Sequence, residues 1–259
     1  MSAPLLEVSN LAVRFGDHQA VRGIGFAMGR ERLGIVGESG SGKSLTGRAI
    51  LRLLPPGAQL SATRLAFAGI DLLAASQDEM RALRGRRLAL VLQDPKFSLN
   101  PLMPLGQQIA ESYRAHGGAS AHEARERTLA MLDAVRIREP RRVHDLYPHE
   151  ISGGMGQRVM IAMMLAGDPD LLIADEPTSA LDVTVQAQVL AVLDEQVSRR
   201  NMGLILISHD LDLVAQFCDR VLVMERGVIV ESLAAAALDE AQHPYTRRLL
   251  AARPRLAAP

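Results

Sequence analysis

Gly37-Glu38-Ser39-Gly40-Ser41-Gly42-Lys43-Ser44 follows the apolar run Leu33-Gly34-Ile35-Val36 and precedes the segment Leu45–Leu54. The run reads as a buried strand and the segment after it as a helix. Strand, then GxxxxGK[ST], then helix is the setting of a phosphate-binding loop. Its glycines let the backbone curl until successive N–H groups point inward, and the helix N-terminus adds the positive end of its dipole. Lys43 is then placed to reach the β- and γ-phosphates of a nucleotide, and the Ser44 hydroxyl to ligate Mg²⁺.

Composition narrows what can surround this loop. With 259 residues the chain can bury a sizeable core, as one large domain or two subdomains. Lys+Arg and Asp+Glu both number 29, so no net field argues for nucleic acid or an anionic surface. The lone Cys218 excludes a disulfide framework and any multi-cysteine metal or iron–sulfur site, and its apolar stretch makes it a core residue. No apolar run approaches the roughly 18 residues a spanning helix needs, and the N-terminus lacks a signal peptide's cationic start and long apolar core. The expectation is a soluble, cytoplasmic chain whose membrane role, if any, comes through a partner.

On the N-terminal side, Leu5–Val13 and Ala20–Met28 read as strands paired around a Gly16-Asp17-His18 turn. Phe15 precedes that turn, one of eight Phe and Tyr residues in a chain without Trp. It suits adenine stacking and core packing about equally. On the C-terminal side, Pro55-Pro56-Gly57 ends the loop's helix, and Leu65–Leu73 reads as a short strand and turn. The basic run Arg81–Arg87 reads as a solvated face. Leu88–Leu92 is a buried strand with Gln93 at its end, where open α/β sheets place ligand-handling groups. Gln93 is therefore a candidate to sense Mg²⁺ or attacking water. Asp94–Arg142 carries no strong strand signal and reads as an inserted, mostly helical subdomain. Its helices fall near Leu105–Arg114 and Ala121–Val135, with Leu129, Leu132 and Val135 facing inward and Glu123, Arg125, Glu126 and Arg127 outward.

Ile151-Ser152-Gly153-Gly154-Met155-Gly156-Gln157-Arg158 opens the next helix, with Ser152 as N-cap and two glycines leaving backbone N–H groups unobstructed. This is a second potential anion site. The methionines at 155, 160, 163 and 164 read as core packing. Leu171-Leu172-Ile173-Ala174 is another buried strand, running into Asp175-Glu176-Pro177-Thr178. Asp175 can hold Mg²⁺ through water, and Glu176 can polarise the attacking water. Val185–Arg199 is an amphipathic helix, and Gly203–Ile207 a strand that ends at Ser208-His209-Asp210, where His209 can contact a γ-phosphate. Arg220–Glu231 reads as a hairpin turning at Arg226-Gly227, and the tail is helical around His243–Ala252.

In this order the pieces resemble the ATP-binding subunit of ABC transporters across essentially the whole chain. The resemblance implies an α/β fold: a P-loop NTPase core with a mostly parallel sheet, an antiparallel β subdomain and an inserted helical subdomain. It implies one domain over 1–259, with 94–158 as the helical subdomain ending in the signature and 1–93 with 159–259 as the nucleotide-binding core. By the family's pattern Phe15 matches the adenine-stacking aromatic. Gly37, Glu38, Ser39, Gly40, Ser41, Gly42, Lys43, Ser44 and the adjoining Leu45 match Walker A. Gln93 matches the Q-loop, and Ser152, Gly153, Gly154 and Met155 the signature. Leu171–Asp175 match Walker B, Glu176 the catalytic glutamate, Ser179–Asp182 the D-loop, and His209 the switch histidine. The implied cofactors are ATP and Mg²⁺, the metal falling to Ser44, Gln93 and Asp175. The implied partners are a second ABC ATPase subunit (a paralogue or a second copy), two membrane-spanning permease subunits and, indirectly, an extracytoplasmic solute-binding protein, at the cytoplasmic face of the inner membrane. Each ATP would lie between Walker A of one ATPase and the signature of the other.

Finer features are similar to the dipeptide, oligopeptide and nickel importer branch: Gln93–Pro101, Ser152–Arg158, Ala180–Gln188 and the tail His243-Pro244-Tyr245-Thr246-Arg247. Asp94, Arg30, Gly156 and Ser232 depart from the branch's usual residues, none at a catalytic position. The short stretch after His-Pro-Tyr-Thr is similar to nickel-import subunits, so nickel is expected ahead of short peptides. The competing class is a soluble ABC-type ATPase acting mechanically on nucleic acid or ribosomes. The balanced charge and the lack of an aromatic-rich basic surface speak against it.

Overall fold

The computed structural model describes residues 3–95, 98–179 and 181–252; Lys96, Phe97 and Ala180, which belong to motifs quoted above, lie outside the described residues. Two compact units form, one from Met1–Ala75 with Gly203–Pro259 and the other from Ser76–Met202.

The first unit opens with a hairpin of β1 (Leu6–Phe15) and β2 (His18–Met28), so the turn is only Gly16-Asp17 and His18 already pairs with Phe15. Leu6, Val8, Leu11 and Val13 are buried. The three-residue step from Val8 to Leu11 would break the two-residue alternation, and a register shift there, with Asn10 at φ 53°, restores it. Next come β3 (Arg32–Val36), α1 (Lys43–Ile50), β4 (Ala58–Ser61), β5 (Arg64–Phe67) and β6 (Ile70–Asp71). β4 and β5 pair antiparallel with β1, and β6 with β5.

Helix α1 stops well short of the expected Leu54, and Pro55 is not what ends it. Arg52 takes φ 52°, Leu53 N–H donates to Arg48 C=O at 2.8 Å, and Arg52 N–H donates to Ala49 C=O at 2.9 Å. That is a Schellman closure with arginine where glycine is usual. The Arg52 guanidinium, which donates to Leu72 C=O at 3.0 Å and also to Ala75 C=O, helps hold it.

In the second unit α2 (Gln77–Leu83) is closed by a capping box: Glu79 N–H donates to Ser76 Oγ at 3.2 Å and Ser76 N–H to Glu79 Oε2 at 2.7 Å. Then follow β7 (Leu88–Val91), α3 (Leu105–Gly117), α4 (Ala121–Ala134), α5 (Pro140–Asp145), α6 (Gly153–Leu165), β8 (Leu171–Asp175) and α7 (Val183–Arg200). β7 and β8 run parallel. α5 lies flush on α3, because a Cβ on Gly106 would sit 2.1 Å from the buried His144 ring. Most of the expected inner face of α4 forms: Leu132 and, at the C-cap, Val135 are buried, and Glu123, Arg125, Glu126 and Arg127 are exposed, while Leu129 is only half-buried. Ala124, Thr128 and Met131 complete the buried stripe along the 3.6-residue repeat. Of the four methionines of α6 only Met160 is fully buried.

The chain then returns to the first unit with β9 (Gly203–Ser208), α8 (Leu211–Phe217), β10 (Arg220–Glu225), β11 (Val228–Ala234) and α9 (Pro244–Ala251). β3 runs parallel between β9 and β10, and β11 pairs antiparallel with β10 through the expected Arg226-Gly227 turn. α8 rests against β3, where a Cβ on Gly34 would be 2.2 Å from Val214 Cγ1. Beside it Cys218 is buried, and burial pushes its thiol up to about 12, so it acts as a packing residue.

Ser76→Ala removes the side-chain half of the α2 capping box. It is expected to cost about 1 kcal/mol, a fall of about 2–4 °C in a calorimetric melt of a chain this size; an unchanged melt would mean the box carries no stability.

Candidate functional site

In the first unit β3 ends at Val36 and the chain turns at once into 37–42. Gly37, Gly40 and Gly42 take φ 152°, 81° and 101°, a left-handed path closed to most side chains. Space enforces it as well: a Cβ on Gly37 would lie 2.1 Å from Met224 C=O, and one on Gly42 2.9 Å from Ala20 C=O. Lys43 is only 5% exposed, and its ammonium donates to Gly37 C=O at 2.7 Å and Glu38 C=O at 2.8 Å. Among the described residues Ser41 Oγ has no hydrogen-bond partner, a buried polar atom left at the loop. Gly227 N–H donates to Ser41 C=O at 3.0 Å, which ties the loop to the β10–β11 turn.

Strand register brings further site residues to the same edge. Val36 pairs with Ser208, so Gly37 and His209 leave adjacent strands at one level, both at C-terminal ends. His209 is exposed and precedes Asp210, whose carboxylate caps α8 by accepting from Leu213 N–H at 3.0 Å. Phe15 is half-buried at the end of β1; the partner strand β2 carries Ala20, the residue packed on Gly42.

In the second unit Val91 pairs with Ala174, so Gln93 and the pair Asp175-Glu176 also emerge at one strand edge. Asp175 is 5% exposed. Glu176 holds φ 47°, a left-handed conformation that costs a non-glycine residue on the order of 1–3 kcal/mol and gathers at functional sites. Its C=O accepts from Ser179 Oγ at 3.3 Å, closing the turn that leads to Asp182, the N-cap of α7. Ser152 caps α6 as expected, accepting from Met155 N–H at 3.4 Å. Gly154 has a reason the sequence did not suggest: its Cβ would fall 2.2 Å from Val185 Cγ1, so the signature helix and the start of α7 touch there. Gly156, the departure in the signature, would place a Cβ 3.4 Å from Pro95 Cγ, and it is buried there.

Two cavities flank the signature. One of about 210 Å³ is lined by Gln93, Pro95, Leu99, Ser152, Gly153 and Gln157. It joins the Q-loop to the signature, and among the described residues the buried Gln157 Nε2 has no partner. The other, about 680 Å³, lies beside Ser152 and Met155 and is rimmed by Arg136, Arg138, Arg142 and Arg158 together with Glu139 and Glu150. Burial, and then the neighbouring Arg136 and Arg138 charges, push the Arg158 guanidinium below its ordinary value, as expected where cations crowd.

The ABC transporter family model matches residues 25–179. The chain belongs to the ABC transporter family. OppD of Bacillus subtilis, an oligopeptide transport ATP-binding protein, is 46% identical over 262 residues, covering 97% of this chain and 72% of that protein. GsiA of Pectobacterium atrosepticum, a glutathione import ATP-binding protein, is 49% identical over 264 residues, covering 97% of this chain and 42% of that protein. Among solved structures, cbiO1 of Clostridium perfringens, part of the ABC transporter complex cbiONQ, superposes with a TM-score of 0.80 at 26% identity, covering 92% of each chain. The α/β fold with its antiparallel and helical parts is thus that of an ABC ATPase cassette.

Three residues were noted in the sequence for other reasons than the part they take here: Gly227 as a hairpin turn, Gln157 within the signature stretch, and Tyr245, an acceptor for Glu38 N–H at 2.9 Å, within the tail. The His-Pro-Tyr-Thr run pointed to a branch and not to the loop.

Gly154→Ala is expected to destabilise the ABC cassette by about 1–3 kcal/mol through overpacking against Val185. In thermal melts Gly154→Ala/Val185→Ala should recover part of that loss; a double variant no more stable than Gly154→Ala would place the strain elsewhere.

Proposed function

We propose that this ABC-family ATPase energises the import of short peptides, as a peripheral subunit at the cytoplasmic face of two membrane-spanning permeases. The observation that carries the solute class is the 46% and 49% identity, over 97% of the chain, to proteins named for oligopeptide transport and glutathione import. These names favour peptides over nickel, the solute that the short stretch after His-Pro-Tyr-Thr had favoured.

The residues divide the work. The inward-facing loop amides and Lys43 bind the β- and γ-phosphates of ATP, with Lys43 leaving the two carbonyls it occupies here. Phe15 stacks on the adenine. Ser44, Gln93 and Asp175 would hold Mg²⁺, a hard cation suited to their hydroxyl, amide and carboxylate oxygens; the bound ion would neutralise charge on the phosphates. Glu176 orients and polarises the attacking water, and His209 contacts the γ-phosphate. Hydrolysis breaks the β–γ phosphoanhydride bond and leaves ADP and inorganic phosphate.

The cavity beside Ser152 supports a shared site, since its four arginines outnumber Glu139 and Glu150, and this balance and the α6 N-terminus suit the phosphates of a nucleotide carried by a second ATPase. Closure around that nucleotide, and opening after hydrolysis, would drive the permeases. The 210 Å³ cavity supports docking of a short permease helix next to Gln93. Its Leu99 wall is continuous with a loop that buried Gln108 fixes through Asn100 and Met103, and that loop presents Leu102 at 85% exposure.

Glu176→Gln is expected to retain ATP binding and to lower steady-state hydrolysis in the assembled transporter by about 100-fold or more; Lys43→Ala is expected to lose binding itself. An undiminished rate in Glu176→Gln would remove the glutamate from the role. Reconstitution with the cognate permeases and binding protein tests the solute. Peptide-loaded binding protein should stimulate hydrolysis, and stimulation by nickel alone would overturn the peptide reading.

A further inference from the structure

The peptide group between Gly37 and Glu38 is held from both ends. Its carbonyl accepts from the Lys43 ammonium at 2.7 Å, and its N–H donates to the Tyr245 hydroxyl at 2.9 Å. Tyr245 lies on α9, more than two hundred residues along the chain, and is 3% exposed. Its ring is fixed independently of the loop. The Arg248 guanidinium lies 5.7 Å over the ring and pairs with Glu225 at 3.3 Å. The backbone entering α9 is tied to β11, where Glu231 Oε1 accepts from Gln242 N–H at 2.7 Å and His243 N–H at 3.2 Å.

We propose that Tyr245 is a positioning residue for nucleotide binding, holding the Gly37–Glu38 peptide in the orientation that the phosphate loop needs once Lys43 has turned to the phosphates. The physical reason is an exchange of partners. In the structure Lys43 and Tyr245 restrain one peptide plane from opposite sides. When Lys43 transfers to a nucleotide's phosphates, the Gly37 carbonyl loses that donor, and glycine imposes little torsional barrier against rotation of the plane. Tyr245 then restrains the plane at its N–H end, so part of the ordering cost of binding is already met in the free protein. Burial raises the Tyr245 phenol above its ordinary value. The His-Pro-Tyr-Thr segment thereby acquires a role in the ATP site itself.

The inference rests on the nucleotide-binding reading, and the experiment separates the two. In the full chain, ATP binding is titrated for wild type, Lys43→Ala and Tyr245→Phe. Wild-type binding that Lys43→Ala removes establishes the nucleotide reading alone. Tyr245→Phe keeps the ring and deletes the acceptor. It is expected to weaken ATP binding about 3- to 10-fold, with kcat at saturating ATP in the assembled transporter within about twofold of wild type. The Glu38 amide proton should move upfield in Tyr245→Phe and exchange faster. Wild-type affinity in Tyr245→Phe, or a fall in kcat with KM unchanged, overturns the proposal. Should Tyr245→Phe fail to fold, hydrogen exchange in the wild-type protein decides: the Glu38 amide must stay protected with ATP bound, and rapid exchange there overturns the proposal equally.

Discussion

A buried ammonium on two backbone carbonyls is the contact around which the first unit is arranged. Lys43 gives up water for Gly37 and Glu38 C=O. That exchange is tolerable because charge-assisted hydrogen bonds are about twice as strong as neutral ones. It requires carbonyls facing the lysine, hence the left-handed glycines, hence a β3 that stops at Val36 and an α1 that starts at Lys43. The neighbouring strands supply the walls that make glycine necessary: Met224 from β10 against Gly37, and Ala20 from β2 against Gly42.

The same economy of position recurs in the second unit. Parallel pairing of β7 with β8 sends Gln93 and Asp175-Glu176 off one edge, and the turn after β8 holds Glu176 in a left-handed conformation. Strain of that kind persists only where surrounding contacts over-determine it, here the Ser179 hydrogen bonds and the buried Thr178. The signature is likewise shaped by its neighbours. Gly154 lets α6 meet α7, and Gly156 sits on Pro95 two residues past Gln93. The segment after Gln93 and the opening turns of α6 therefore pack together within one compact unit.

Several parts of the chain are organised by partners that are remote in sequence. α1 ends because Arg52 adopts a glycine-like conformation braced by Leu72 and Ala75, and α5 approaches α3 because Gly106 leaves room for His144. Tyr245 reaches the phosphate loop from α9. Each is a long-range contact made through an ordinary residue type, with no local pattern to announce it.

The loop, the order of the site residues and nearly every strand were legible along the chain, because those rest on local physics. Glycine spacing, apolar runs such as Leu171–Ala174 and a helix-capping Ser152 act within a few residues of chain. The sequence also contained the Ser76-x-x-Glu79 cap of α2, although only its formed hydrogen bonds made that helix evident. Only folding fixed the half-burial of Leu129 on α4, the bracing of the end of α1 by Leu72 and Ala75, and the place of Tyr245 against Glu38. These are settled by which surfaces meet: the Arg52 and Tyr245 partners lie 20 and 207 positions away, and spacing along the chain carries no record of that distance.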